Sequence, residues 1–294
     1  MFGPLMTADI SALRRGGGGG GGPQAVVLPT PPFGSTNLLG WWDVSKTFTD
    51  SDGSEQASAY YDDVAFNSIS AIEDISGNGF GFVQNDKSLQ PIKGASGGAV
   101  TDVAGHILVP SKKSLINGLS KLTVGLRVRP RSDLAVSGSA RTLFYISRST
   151  NSSLMRMALA MTGSTTGRRL FVDYGIADSA TAGDSRTTTN ASGPQLTNDV
   201  FNTVIVEIDL TVSPCTCSFY LNSLTAGYVD NGLVPVTGSA PFAFGSSDSI
   251  SIVLGDNSQA ARPDFSEILA VAVINDAGNA TLRSDLKTYL DGLS

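Results

Sequence analysis

Short apolar alternations, separated by turn residues, run along the chain from residue 38 onward. Apolar residues occupy positions 122, 124, 126 and 128 of the segment 121–130, and positions 204, 206, 208 and 210 of the segment 201–210. A period of two places such residues on one face of a β-strand. Further segments of this type are 141–147, 154–161, 169–175, 215–221, 249–255 and 266–274. The pattern predicts an all-β fold in which two antiparallel sheets pack as a jelly-roll sandwich.

Two segments near the end of the chain depart from simple alternation. The run 268–274 is apolar at consecutive positions, which predicts a central strand covered on both faces. The segment 279–291 instead carries apolar residues at helical spacing, with Asn279 as a suitable N-cap and Gly292 just beyond its end. We therefore expect one C-terminal helix, lying against the sandwich.

The first 37 residues have a different composition from the rest. Seven consecutive glycines, Gly16–Gly22, are followed by a segment at 23–36 that contains four prolines and predicts an extended linker. We divide the chain into an N-terminal arm, 1–37, and one β-sandwich domain, 38–294. The arm is expected to dock onto a partner through its apolar and basic side chains, which are Phe2, Leu5, Ile10, Leu13, Arg14 and Arg15.

Composition and charge exclude several classes of partner. Of the 294 residues, 41% are apolar and 16% are charged, so a large core can form. The net charge of −6 argues against nucleic acid, because phosphate binding needs a basic face. No apolar run reaches the roughly 18 residues of a membrane helix, so we expect no membrane insertion. The N-terminus also lacks a basic region followed by an apolar core, so no Sec-type signal peptide is expected.

The segment "VEIDLT" at 206–211 is the strongest candidate for catalysis. It places Glu207, Asp209 and Thr211 on one face of a strand. Laminarinase-like glycosidases resemble this pattern but carry a third carboxylate where Thr211 stands, and retaining hydrolysis needs a pair of carboxyl groups. The sequence also lacks a G-x-S-x-G motif and a P-loop. We therefore expect a protein that is not an enzyme, with an outward polar face on this strand.

Two polar loops are candidate ligand sites. The loop "DSDGSE" contains Asp50, Asp52 and Glu55, whose oxygens suit a structural Ca²⁺, although a solvated acidic turn is the alternative. No other cofactor is expected. The loop 254–264 contains Asp256, Asn257 and Arg262, which could bind sugar hydroxyls or pair with an acid.

Four other residues have roles that local geometry predicts. Trp41 and Trp42 should face opposite sides of a strand, with one in the core and Trp42 as an exposed platform for stacking a sugar; the alternative is that both are buried. Asp74 is expected to accept hydrogen bonds from the tight turn Ser76–Gly79. Glu267 is expected to cap a loop.

Three stretches in order resemble the laminin-G-like, concanavalin-type domains. They are "LLGWWDVSKTFTDSDGS", "IEDISGNGFGFVQND" and "PDFSEILAVAVINDAGNATLRSDLKTYLDGL", which span the region 38–294. The resemblance implies a two-sheet jelly roll that binds carbohydrate. Domains with this pattern occur in tailed-bacteriophage virion proteins, often behind a Gly-rich N-terminal segment.

The resemblance therefore implies a structural protein on the surface of a phage particle, as a tail fibre, baseplate, head fibre or decoration protein. Its arm, residues 1–36, would contact other virion proteins, and its domain would bind a host cell-surface polysaccharide. A homo-oligomer such as a trimer is the family-level expectation. The alternatives are a laminarinase-like glycoside hydrolase and a purely structural capsid cement protein.

Overall fold

The computed structural model describes most of the domain in segments. These are residues 26–34, 37–50, 55–101, 106–109, 116, 118–132, 141–148, 155–161, 168–175, 185–187, 193–212, 215–233, 250–255 and 266–294. The predicted anchoring residues of the arm, from Phe2 to Arg15, lie outside these ranges. Their role stays a prediction.

The described segments form 21 strands, a 3₁₀ turn at Lys87–Leu89 and one α-helix, α1, at Ala280–Asp291. The strands before residue 101 are β1 Val26–Val27, β2 Leu38–Asp43, β3 Thr47–Asp50, β4 Glu55–Ala57, β5 Ala59–Asp63, β6 Ser68–Ile72, β7 Phe82–Val83, β8 Ile92–Lys93 and β9 Ala99–Val100. The later strands are β10 His106–Val109, β11 Lys121–Pro130, β12 Arg141–Arg148, β13 Met155–Met161, β14 Arg168–Gly175, β15 Ser185–Thr187, β16 Gln195–Leu196, β17 Asn202–Asp209, β18 Cys215–Leu221, β19 Tyr228–Leu233, β20 Ile250–Gly255 and β21 Ser266–Ile274. Within these segments, no helix is long and apolar enough to cross a membrane.

The strands pack as two antiparallel layers, as the alternation predicted. One layer runs β19–β18–β17–β11–β21–β2, and the other runs β14–β13–β12–β20–β10–β7–β6–β5. The two layers join at one corner, because β8 pairs with β6 of one layer and with β9, which pairs with β21 of the other. A separate small sheet contains β1, β3 and β4.

The main hydrophobic core fills the space between the two layers. Alternate residues of each strand point into it, as Leu122 and Val124 of β11 and Val204 and Val206 of β17 show. The strand β21 is buried at all nine positions and pairs with β11 on one side and β2 on the other. This confirms the prediction of a central strand covered on both faces.

A second core lies on the outer face of the first layer, under α1. The helix begins after Asn279, whose side chain accepts the Leu282 N–H, and it buries Leu286 and Leu290 against the sheet. Gly125 makes this approach possible, since a Cβ at that position would lie 2.7 Å from Leu286 Cδ2. The predicted helix and its N-cap are therefore confirmed.

A buried polar network fixes α1 to the strand β2. Trp41 Nε1–H donates to Tyr289 Oη at 2.8 Å, and the Tyr289 hydroxyl donates to Asp43 Oδ2 at 2.5 Å. Burial, together with the negative charge of Asp43, raises the pKa of Tyr289 far above its usual value, so the hydroxyl stays protonated and remains a donor. The helix position is thus set by hydrogen bonds as well as by apolar packing.

The segment 26–34, predicted as part of a linker, packs on the sandwich instead. Phe33 is fully buried in the second core, with its ring centroid 5.6 Å from that of Trp41 and 5.3 Å from that of Tyr289. The strand β1 pairs with β3. The segment is not only a linker, because Phe33 covers apolar surface of the domain that would otherwise face water.

Candidate functional site

Trp42 is not an exposed sugar platform, so that prediction is wrong. Its side chain is 1% exposed, its ring centroid lies 4.6 Å from that of Phe82, and its Nε1–H donates to the carbonyl of Phe80. Trp41 and Trp42 do face opposite sides of β2, but α1 and Phe33 cover the outer side and the second layer covers the inner one. Both rings are therefore structural.

The two predicted polar loops fall mainly outside the described residues. Asp256, Asn257 and Arg262 all lie there, and so does Asp52. Asp50 ends β3 and Glu55 begins β4, where it is exposed. No cluster of three potential metal ligands occurs within the segments that the structure describes. The calcium site and the sugar-binding loop stay predictions.

Asp74 has the structural role that the sequence predicted. Its carboxylate accepts N–H bonds from Ser76 at 3.0 Å, Phe80 at 3.1 Å and Trp41 at 3.0 Å. Gly77 and Gly79 adopt φ values of 90° and 74°, which glycine tolerates in a tight turn. Asp74 thus ties this turn to β2.

Glu207 lies under α1 and not on an outward polar face, which corrects that expectation. The carboxylate is 5% exposed and accepts from Arg283 Nη1 at 2.8 Å and from the Gly278 N–H at 3.2 Å. The Arg283 guanidinium in turn stacks 4.2 Å from the centre of the Tyr220 ring. Thr211 donates to Asp209. Glu207 therefore holds the helix in place and has no access to a substrate.

An open cleft of about 400 Å³ lies at the corner where the two layers join. Its walls come from β8, β9, the end of β11 and the start of β21. The cleft therefore lies where β8 and β9 connect the two layers by strand pairing. Its lining residues combine apolar, cationic and anionic side chains: Ile92, Lys93, Gly94, Ala95, Val100, Arg129, Arg131, Asp199 and Glu267.

Glu267 lies buried at the floor of this cleft. Its Oε1 accepts the Ser96 and Gly98 N–H groups at 3.0 and 3.1 Å, and its Oε2 pairs with Arg129. Gly94 is required beside it, because a Cβ there would overlap the Glu267 carboxylate. The prediction that Glu267 caps a loop is confirmed, and the structure adds the pairing with Arg129.

The Arg129 guanidinium forms part of the cleft wall. It lies 4.9 Å from the centre of the Phe201 ring, and the Arg127 guanidinium lies 5.6 Å from the same ring. The register of β11 against β21 shifts between Arg127 and Val128. Such a bulge re-aims the following side chains. The stacking and the ion pair together hold Arg129 in a fixed orientation.

The turn between β5 and β6 stands beside the cleft and exposes apolar side chains. Val64 is 78% and Phe66 is 74% exposed, and the next carbonyl, that of Asn67, accepts the N–H of the lining residue Lys93 at 2.8 Å. Asp63 Oδ1 accepts the N–H groups of Ala65 and Phe66 at 3.0 and 3.3 Å. Phe66 is therefore displayed from an ordered turn, and the backbone that follows this turn is bonded to a residue of the cleft wall.

One local signal in the sequence belongs to this site. Arg127, Arg129 and Arg131 alternate in "LRVRPR", which places basic residues on one face at the end of a predicted strand. The remaining lining residues come from 92–100, 199 and 267. No local pattern connects positions so far apart in sequence.

No family model matches the sequence, and no curated protein matches it. Solved structures with a similar fold include the Trypanosoma rangeli sialidase in complex with sialic acid, at 12% identity and a TM-score of 0.49, covering 91% of this chain and 36% of that one. The binding domain of Paraclostridial Mosquitocidal Protein 1 is 14% identical, with a TM-score of 0.48 over 86% of this chain and 52% of that one. The botulinum neurotoxin serotype G binding domain is 12% identical, with a TM-score of 0.47 and coverages of 87% and 52%.

This chain thus spans about a third to a half of the length of these proteins, and the likeness is one of fold. The expectation of a protein that is not an enzyme is wrong on this comparison, because sialidases, which are enzymes, are among the structures found. Glu207 is nevertheless sealed under α1, so it is not the group that such chemistry would use.

Proposed function

We propose that this chain is a glycan-recognition domain and that its ligand binds in the corner cleft. The observation that carries the proposal is the combination of an open cleft of about 400 Å³, fixed polar groups on its walls and an exposed Phe66 on the turn that is bonded to Lys93 through Asn67. Ligand sites commonly have volumes of about 300–1,000 Å³, with a few well-placed polar groups. Sugars present hydroxyls to such polar groups and an apolar C–H face to an aromatic ring.

A backbone hydrogen bond connects the two parts of the proposed site. Lys93 lines the cleft, and its backbone N–H is bonded to Asn67, the residue that follows Phe66. Phe66 is 74% exposed, so its ring is open to contact with a ligand. A sugar ring stacked on Phe66 could therefore place its hydroxyls toward the cleft.

The test is a glycan array probed with the full chain and with the Phe66→Ala variant. We expect the wild-type protein to bind a subset of glycans and the variant to lose most of that signal. Leu224→Ala is the matched control, because Leu224 is 47% exposed and lies in a different turn, after β18. Absence of wild-type binding, or equal binding by Phe66→Ala, would overturn the proposal. Release of sugar from each bound glycan should be measured in parallel, since the fold occurs in sialidases.

We propose further that the domain is displayed on a tailed-phage particle and that its N-terminal region docks onto other virion proteins. The ordered trio of motifs supports this assignment, together with the glycine run that precedes the domain. The protein would then present the cleft to a host-surface polysaccharide.

Deletion of residues 1–22 tests the docking role. The deletion ends before β1 and Phe33, so the sandwich should keep its unfolding temperature. We expect the shortened protein to fold but to be missing from purified particles. Incorporation at the wild-type level would refute the docking role and leave glycan recognition untouched.

A further inference from the structure

We infer that the ligand of the corner cleft carries a carboxylate, so that the glycans it recognises are acidic sugars. This inference rests on the proposed function and adds the chemical class of the ligand. The starting point is the charge of the cleft: three of its lining residues are cationic, Lys93, Arg129 and Arg131, and two are anionic, Asp199 and Glu267. The cleft is therefore net positive on a protein whose total charge is −6.

The two charges at the floor of the cleft, one positive and one negative, neutralise each other. Glu267 is 1% exposed and pairs with Arg129, whose side chain is 27% exposed. All of the Glu267 contacts are internal, to Arg129 and to the N–H groups of Ser96 and Gly98. This pair shapes the base of the cleft and leaves its net charge to the other three groups.

Those three groups are Lys93, Arg131 and Asp199, which together carry one positive charge in excess. Asp199 is held in a left-handed backbone conformation, with φ of 60°, and its Oδ1 accepts the Ser132 N–H at 3.0 Å. Lys93 projects its ammonium over the Tyr61 ring, 5.6 Å from the centroid. Within the part of the chain that the structure describes, no carboxylate forms an ion pair with Lys93.

A single excess positive charge suits a monoanionic ligand. The planar guanidinium and the ammonium both bind carboxylate oxygens through charge-assisted hydrogen bonds. A polyanion such as nucleic acid would need a wider basic surface than this cleft offers. A sugar acid combines the carboxylate with the ring that Phe66 can stack against, so it uses both features of the site.

Matched pairs of acidic and neutral sugars test the inference by isothermal titration calorimetry on the full chain. One pair is 3′-sialyllactose and lactose, and the other is galacturonic acid and its methyl ester. We expect the acid of at least one pair to bind about tenfold more tightly than its neutral partner at low salt. The preference should shrink as the salt concentration rises.

Lys93→Gln should weaken binding of the acid severalfold more than binding of its neutral partner. Lys121→Gln is the matched control, because it removes the same charge at the other end of β11, where Lys121 pairs with Asp209. Its preference should equal that of the wild type. Neither exchange touches a buried group, so both variants should fold.

The outcomes separate the two proposals. If acid and neutral partner bind equally in both pairs, or if Lys93→Gln weakens both partners alike, the inference on acidic sugars is overturned while glycan recognition stands. If neither pair binds and the glycan array is also negative, the proposed function itself fails. An equal loss with Lys121→Gln would likewise overturn the inference, because the effect would then come from overall charge and not from the cleft.

Discussion

The hydroxyl of Tyr289 can be removed without changing the shape of the second core. Tyr289→Phe keeps the ring that packs against Trp41 and Phe33 at centroid distances of 5.5 and 5.3 Å. It deletes two hydrogen bonds, the one accepted from Trp41 Nε1 and the one donated to Asp43 Oδ2. The variant therefore isolates the polar attachment of α1 to β2.

The size of the effect follows from the groups left behind. Trp41 is fully buried, and its indole N–H loses its acceptor; Asp43 is also fully buried, and one of its oxygens loses its donor. Each buried polar group without a partner costs about 1–3 kcal/mol, and a charged one costs more. Asp43 Oδ1 still accepts from the N–H and hydroxyl of Ser45, which limits the loss. We expect the free energy of unfolding to fall by about 3 kcal/mol.

Thermal unfolding followed by circular dichroism measures this change. With an unfolding entropy of about 2.1 cal/mol/K per residue, a loss of that size lowers the Tm of a chain this long by roughly 5 °C. Tyr228→Phe is the control, because the Tyr228 hydroxyl has no hydrogen-bond partner among the described residues while its ring also packs on an aromatic neighbour. A decrease no larger than that of the control would refute the reasoning. In the Trp41→Phe background, Tyr289→Phe should lower the free energy of unfolding by less, because one of the two buried polar groups left without a partner is then absent.

Two further predictions concern the outer face of β17. Glu207→Ala leaves Arg283, whose side chain is 14% exposed, without its carboxylate partner. The free energy of unfolding in urea titrations should fall by about 3–5 kcal/mol, with glycan binding per folded molecule unchanged. A loss below about 1 kcal/mol would contradict this prediction. Burial tends to raise the pKa of Asp209, but the hydrogen bonds from Thr211 and the attraction of Lys121 outweigh it and hold that pKa below its usual value. A depressed pKa means stability that is present above the unfolded-state value, about 3.9, and is lost as the pH falls through the folded-state value. The stability advantage of wild type over Asp209→Asn should therefore narrow between about pH 5 and pH 2, and an advantage independent of pH in that range would contradict the assignment.

The long strands could be predicted because their faces differ in polarity. The predicted bounds 121–130, 215–221 and 266–274 match β11, β18 and β21 at both ends. Each strand has a core face whose alternation is a local property of the sequence. The helix was equally accessible, since Asn279 and the apolar stripe after it are local signals.

The fate of Trp42 and Phe33 could not be predicted in the same way. Alternation correctly placed Trp41 and Trp42 on opposite faces of β2, but it could not show that both faces are covered. The cover on the outer face comes from α1, almost 250 residues later, and from Phe33, which lies in a proline-rich segment. A composition typical of linkers hid a buried aromatic residue.

Two buried carboxylates explain why we propose the ligand site at the corner cleft and not at β17. Glu207 and Glu267 lie on strands of the same layer, and each pairs with an arginine. Glu207 accepts one backbone N–H group from a nearby turn, and Glu267 accepts two. Their chemistry is thus nearly the same, and the difference lies in the arginine partner, whose side chain is 27% exposed at Arg129 and 14% exposed at Arg283.

Above Glu207 the helix closes the surface, and Arg283 is held between the carboxylate and the Tyr220 ring. At Glu267, β21 pairs with β9 at the corner of the sandwich, and Arg129 lines an open volume of about 400 Å³. A sandwich must bury the ends of its central strands or leave them open. At the strand end that it leaves open, this fold places fixed charges with an aromatic ring beside them. These charges cost desolvation energy that purely apolar packing would avoid.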